Sequence, residues 1–196
     1  MVNRFVKMLS ALVFAGVLAG ASATLLGLVD AGHEMDDLFA RLDSEAAALH
    51  RAGSASVQHG APADPITRPR NSLQKAFETL GPTADRIVDQ TAPSYARWAA
   101  QPLSTAIDLV PPGDPLKRAL ADYVDQLSQA QADKARTESA IKLRARLLDL
   151  SYEGLLQKIG EARTRTRTGS SRALTGVYAI TLASIAIAAF VVGRSE

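Results

Sequence analysis

Two stretches without a single charged residue, 8–29 and 173–193, sit near the two ends of this 196-residue chain. About 20 apolar residues of helix are needed to cross the ~30 Å hydrocarbon core of a bilayer, and both stretches reach that length. The alternative is burial of each as the central helix of a soluble bundle, which needs a middle region rich in apolar surface. The middle is not: 47% of the whole chain is apolar and 5% aromatic, and outside the two stretches alanine and polar residues dominate. The expectation is therefore two transmembrane helices.

Their flanks bear on orientation. Arg4 and Lys7 in the basic tail 1–7 precede the first stretch, and Asp30, Glu34, Asp36 and Asp37 follow it. That asymmetry favours a cytoplasmic N-terminus. The same region also fits a signal peptide, because Ala21-Ser22-Ala23 forms an A-x-A processing site before Thr24. Cleavage there would leave a secreted helical domain held by its C-terminal span. Against it, the apolar run continues through Leu25, Leu26, Leu28 and Val29, as in a retained anchor. The second stretch carries Tyr178 near one end and is followed only by the tail 194–196. On its loop side lie Lys158, Arg163, Arg165, Arg167 and Arg172, which alone would draw the loop into the cytoplasm. Since the first helix usually dominates, the expectation is two spans with both termini cytoplasmic and the loop on the outer side.

Small residues recur every fourth position in the first stretch at Ala11, Ala15, Ala19, Ala23 and Gly27, with Gly16 and Gly20 on the adjoining face. The second offers Gly176, Ala179 and Ala183. Such ridges let helices approach closely in lipid, where apolar burial does not drive association. Chance in an alanine-rich chain produces the same spacings.

Between the spans, 30–52 reads as a short acidic amphipathic helix, with Met35, Leu38, Phe39, Leu42, Ala46 and Leu49 on one face. Residues 53–71 have the Gly, Ser and Pro content of a linker. Residues 72–113 predict short proline-interrupted helices, one from Ser72 to Leu80 ended by Gly81-Pro82, with Trp98 either in a small core or at the membrane interface. Asp114-Pro115 is a helix start, and a long helix is expected over 114–168. Its 4-3 spaced seam, Leu116, Leu120, Tyr123, Leu127, Ile141, Leu148, Tyr152, Leu155 and Ile159, resembles a coiled coil and needs a register shift after Ile141. Gly154, Gly160 or Gly169-Ser170-Ser171 are candidate breaks before the membrane.

Chemistry is scarce. The chain has no cysteine, which excludes disulfides, thiolate metal sites and a cysteine nucleophile. His33, His50 and His59 show no metal-ligand spacing and read as solvated. No phosphate-binding loop, nucleophile elbow or zincin motif occurs, and no histidine in the second half can activate a serine. The expectation is a non-enzymatic protein without catalytic, cofactor or metal residues. The most distinctive local feature is the run Arg163-Thr164-Arg165-Thr166-Arg167-Thr168. Beside a span, Arg163, Arg165, Arg167 and Arg172 suit phosphate headgroups, at ~1 kcal/mol each near an anionic surface, or simply fix the depth of the helix. Without interleaved aromatic residues the run does not point to nucleic acid, nor is a small-molecule substrate expected.

The fold class expected is thus an all-α membrane protein, with two spans flanking a helical extramembrane region dominated by one long coiled-coil-like helix. The function expected is that of a scaffold or accessory subunit, whose partners are lipids and other membrane subunits or a second copy. The runner-up is a surface protein that binds or remodels anionic bilayers through the arginine run.

Overall fold

The computed structural model describes residues 2–59, 64–90, 98, 115–132 and 137–193. Apart from a bend at Thr137 these residues are helical and contain no strand. Helix α1 spans Val2–His59, α2 Asp64–Gln90, α3 Pro115–Ala132 and α4 Glu138–Gly193. At 1.5 Å per residue, the 58 residues of α1 and 56 of α4 give rods of roughly 85 Å. Both are long and apolar enough to cross a membrane, by length and composition.

What holds the rods together is a repeat of buried residues. In α1 the buried positions Leu25, Leu28, Gly32, Met35, Phe39, Leu42, Ala46, Leu49 and Gly53 alternate steps of three and four. In α4, Leu148, Leu155, Ile159, Ala162, Thr166, Gly169, Ala173 and Gly176 do the same once half-buried Tyr152 is counted. A step averaging 3.5 residues keeps one narrow face toward a neighbour along the whole rod. The two rods run antiparallel: Gly53 lies against Leu148, Gly32 against Ser170, and Leu25 against Gly176. Carried further at that register, 8–29 runs beside 173–193, and Val29 is level with Arg172 and Ala173. The two uncharged stretches therefore begin at one level. Their large side chains, among them Leu12, Phe14, Val17, Tyr178, Leu182, Ile185 and Phe190, are exposed, an arrangement that costs heavily in water and nothing in lipid.

The remaining helices clothe the part of the hairpin beyond these stretches. Helix α2 folds back along α1, burying Ile66, Leu73, Leu80 and Thr83, and Arg86 reaches Glu34. Helix α3 buries Leu116, Tyr123 and Leu127 against α4 and the end of α1.

Four expectations are corrected. The short helix over 30–52 is part of α1, since the seam passes from the apolar stretch into Leu49 without a break. The linker over 53–71 shrinks, because α1 continues to His59 and α2 starts at Asp64. Helix α2 passes through Pro69 and Gly81-Pro82, for Ile66 and Leu73 are buried on either side of Pro69 and Leu80 and Thr83 on either side of Pro82, which offsets the ~3 kcal/mol that proline costs inside a helix. The long helix over 114–168 is two helices, α3 ending at Ala132 and α4 starting at Glu138, folded so that Tyr123 meets Tyr152. The reversal falls between Ala132 and Glu138, before Ile141, and sets the two seam halves face to face instead of in one line. Gly154, Gly160 and 169–171 do not break α4. The expected helices within 94–110 lie outside the described residues except for Trp98.

Candidate functional site

The hairpin is marked by two polar layers and, between its apolar ends, a groove. Nearest the uncharged stretches is the Asp36 layer. Asp36 sits one residue past the seam position Met35, at the flank of α1, and Arg163 and Arg167 flank the seam position Thr166 on α4. Arg163 donates from Nε to Asp36 Oδ1 at 2.6 Å and from a terminal nitrogen to Oδ2 at 3.3 Å, and Arg167 does so at 3.1 and 3.2 Å. Arg163 also lies 3.7 Å from Asp43. The Arg163 hydrogen bonds are the main reason that the Asp36 carboxyl is held down at about 2; burial opposes them, and Arg167 adds to them. The Asp43 carboxyl is raised by burial, with Arg163 opposing.

The hydroxyls of the run are accommodated inside the helix. The hydroxyls of Thr164, Thr166, Thr168 and Ser170 donate to the carbonyls of Gly160, Ala162, Thr164 and Thr166 at 2.9–3.2 Å. Each hydroxyl is satisfied within its own helix. Thr166 is fully buried.

The second layer is at the far end of the hairpin. His50, next to seam residue Leu49, stacks on Tyr152 with ring centroids 4.0 Å apart and planes within 3°. Its Nε2 is 3.2 Å from Asp149 Oδ1, and its Nδ1 is 3.4 Å from the Tyr123 hydroxyl. With Nε2–H donating to Asp149, Nδ1 is left as acceptor for Tyr123. Burial lowers the His50 pKa below its usual value although Asp149 opposes, and raises that of both tyrosines. The reading of His50 as solvated is thus corrected: its side chain is 18% exposed and paired with a carboxylate nearly a hundred residues away in sequence. His33 is exposed, and the side chain of His59 is outside the described residues.

Between the uncharged stretches a groove of about 670 Å³ separates the rods, lined by Ala11, Phe14, Ala15, Leu18, Ala19 and Ser22 on α1 and by Ile180, Thr181, Ser184, Ile187 and Ala188 on α4. Of the small-residue ridge, Ala11, Ala15 and Ala19 border this groove. Gly16 and Gly20 face open space, and Ala23, Ala179 and Ala183 are exposed, with Gly27 half-buried. Close approach occurs at Gly176 of that set and, outside it, at Gly32 and Gly53. A Cβ on Gly176 would stand 2.9 Å from both Leu25 and the Trp98 ring. Trp98, 46% exposed, thus lies where the uncharged stretches begin.

The arginine set divides. Arg163 and Arg167 turn to Asp36, whereas Arg172 is exposed and Arg165 half-buried, with no ion pair described for either. Of the seam set, Leu116, Tyr123, Leu127, Leu148, Leu155 and Ile159 are buried and Leu120, Ile141 and Tyr152 half-buried. The residues missed in the sequence are Asp36, His50 and Asp149. The signal was available: each sits beside a seam residue of one continuous repeat, visible once Ala162, Thr166, Gly169, Ala173 and Gly176 are counted as seam despite being small or polar.

Compared with known proteins, the chain matches no family model, no curated protein and no solved structure.

Proposed function

We propose that this chain is an integral membrane scaffold or accessory subunit, non-enzymatic, that holds a rigid helical bundle on the membrane surface for assembly with other subunits or with itself. The observation that carries this reading is the common level of the two uncharged stretches on rods that continue unbroken into a packed bundle. An anchor joined to its domain without a hinge fixes the height and direction of whatever binds the bundle. Residues 8–29 and 173–193 are the spans, both termini are cytoplasmic and the bundle is on the outer side. The orientation draws on the first stretch, which Arg4 and Lys7 precede and Asp30, Glu34, Asp36 and Asp37 follow, and on the loop side Asp36 pairs with Arg163 and Arg167. The same pairing leaves Arg165 and Arg172 as the headgroup contacts, which weakens the runner-up based on the whole run.

The test is made on the full chain in native membranes. Single cysteines at Val2, Ser104 and Ser195, in a background free of cysteine, are labelled with a membrane-impermeant maleimide, and the protein is released in polymer-bounded lipid discs for mass measurement. The expected result is outside labelling at Ser104 alone and a particle holding more protein mass than one chain. A single chain in each disc refutes the assembly role, and labelling at both termini reverses the orientation.

A further inference from the structure

We propose that the groove between the two uncharged stretches seats one acyl chain of an anionic phospholipid from the cytoplasmic leaflet, an inference that rests on the reading of 8–29 and 173–193 as spans with cytoplasmic termini. The groove begins where the seam of the rods stops. Leu25 still meets Gly176, but further along the stretch the positions of α1 that border α4 are small, at Ala11, Ala15 and Ala19, and the rods leave about 670 Å³ between them. The hydroxyls of Thr181 and Ser184 on the α4 wall donate to the carbonyls of Val177 and Ile180 at 2.9 and 2.8 Å. Both are satisfied within their own helix, so neither asks the occupant for a hydrogen bond. A gap of this kind inside a bilayer is filled, because empty space costs the wall atoms their dispersion contacts.

Dimensions and charge select the occupant. From Ala11 to Ser22 the groove is roughly 16 Å long at 1.5 Å per residue, about half of the ~30 Å hydrocarbon core and so the depth of one leaflet. A helix is about 10 Å across, so a third helix, from a second copy or another subunit, takes roughly 1,250 Å³ over that length, nearly twice the space present. An acyl chain, whose carbons meet their neighbours at about 4 Å, is less than half as wide. Leu25 against Gly176 closes one end of the groove. The other end, at Ala11, lies one turn from Met8, toward the cytoplasm. Lys7 and Arg4 precede Ala11 on α1 by four and seven residues, the register of the groove face, and no acidic residue occurs before Asp30. The tail 194–196 adds one basic and one acidic residue, which cancel. Two basic positions at the mouth of an apolar slot match a phosphate headgroup above its chain, and the cytoplasmic leaflet is the one that carries anionic lipid.

The test uses the full-length chain reconstituted in vesicles of equal phosphatidylglycerol and phosphatidylcholine, extracted in detergent and weighed intact by native mass spectrometry. The expected spectrum shows one phospholipid held per chain, phosphatidylglycerol at least fivefold over phosphatidylcholine. Ala15→Leu with Ser184→Leu, which fills the groove, is expected to cut retention at least fivefold, whereas Val17→Phe, which adds bulk on an exposed face, keeps it. Arg4→Gln with Lys7→Gln is expected to bring the two lipids to equal retention; helical content by circular dichroism checks that each variant is folded. A parent chain that holds no lipid, or holds both lipids equally, overturns the proposal. So does a filled groove that retains lipid as the parent does, an equal loss in Val17→Phe, or a preference unchanged when both basic residues are replaced. Any of these in a chain that labels from outside at Ser104 alone and travels in discs heavier than one copy leaves the scaffold reading intact. Selective retention by a chain found singly in its discs supports the groove and overturns only the assembly role.

Discussion

Arg163 Nε donates to the near oxygen of Asp36 at 2.6 Å, joining the two longest helices across 127 residues of sequence. Arg167, one turn on, binds the same carboxylate, so one acid is shared by two guanidinium groups. A carboxyl lowered from 3.8 to about 2 corresponds to roughly 2 kcal/mol of stabilisation, which partial exposure reduces to about 1 kcal/mol. Asp36→Asn also leaves two like charges four residues apart, adding a few tenths of a kcal/mol. The expected loss on chemical denaturation in micelles is ~1–2 kcal/mol, shrinking in high salt. The folded pKa lies below the usual one, so the contribution is present above about pH 4 and disappears as pH falls toward 2. No loss in Asp36→Asn, or a loss unaffected by salt, contradicts the pairing.

How much of this was legible before the structure depends on the side chain at each seam position. Large apolar residues announce themselves: Leu116, Tyr123 and Leu127, Leu148 to Ile159, and Met35 to Leu49 bury on the faces their spacing predicts. The seam was lost where it is built from small or polar residues. Thr166 lies inside the arginine run and Ala162 and Gly169 border it, so the segment looks polar, yet small side chains are what an interhelical approach needs there. Prolines misled in the other direction, since local cost is visible in sequence and the tertiary burial that offsets it in α2 is not. The reversal between α3 and α4 produced a period break in the sequence, and a period break by itself does not distinguish a register shift from a turn.

Gly32 tests the close approach of the rods. A Cβ there would collide with the hydroxyl of Ser170 and stand 2.9 Å from its Cβ, an atom fixed close to the backbone. Gly32→Ala gains about 1 kcal/mol of helix propensity but forces α1 from α4 at a cost of ~1–3 kcal/mol, so a net loss of about 1 kcal/mol is expected. Ser170→Gly introduced into Gly32→Ala should recover part of that loss in the same denaturation assay. A Gly32→Ala protein more stable than the parent contradicts the contact.

Leu127 and Gly53 test the reversal of α3 onto the hairpin. Leu127 is 1% exposed, and a Cβ on Gly53 would stand 2.6 Å from its Cδ1 and 3.6 Å from Leu148 Cδ2. Leu127→Ala removes buried methyls and is expected to cost ~2–4 kcal/mol. Gly53→Ala should be near neutral, because the flexible end of Leu127 yields while helix propensity improves. In the double variant the new methyl fills part of the space vacated, so the combined loss falls short of the sum by about 1 kcal/mol. Strict additivity would separate the two residues and favour one continuous helix over 114–168.

His50 gives the bundle its response to pH. Protonation would place a charge in a half-buried site stacked on Tyr152, and Nδ1 would become a donor that cannot accept from Tyr123. Asp149 pulls the other way, Asp43 and Arg51 act on Tyr152 with opposite signs, and burial wins, so the folded pKa lies below the usual 6.5. The unfolded chain therefore binds the proton first. Stability is complete above about pH 6.5 and declines as pH falls below it, until the folded protein itself takes up the proton. Amide hydrogen exchange over 43–53 should accelerate between pH 7 and pH 5 after correction for the intrinsic rate. His50→Gln, which accepts no proton, should flatten that dependence while lowering protection at pH 7. Exchange that speeds up equally in His50→Gln assigns the acid response to another group, with Asp36 excluded because its contribution is lost only below about pH 4.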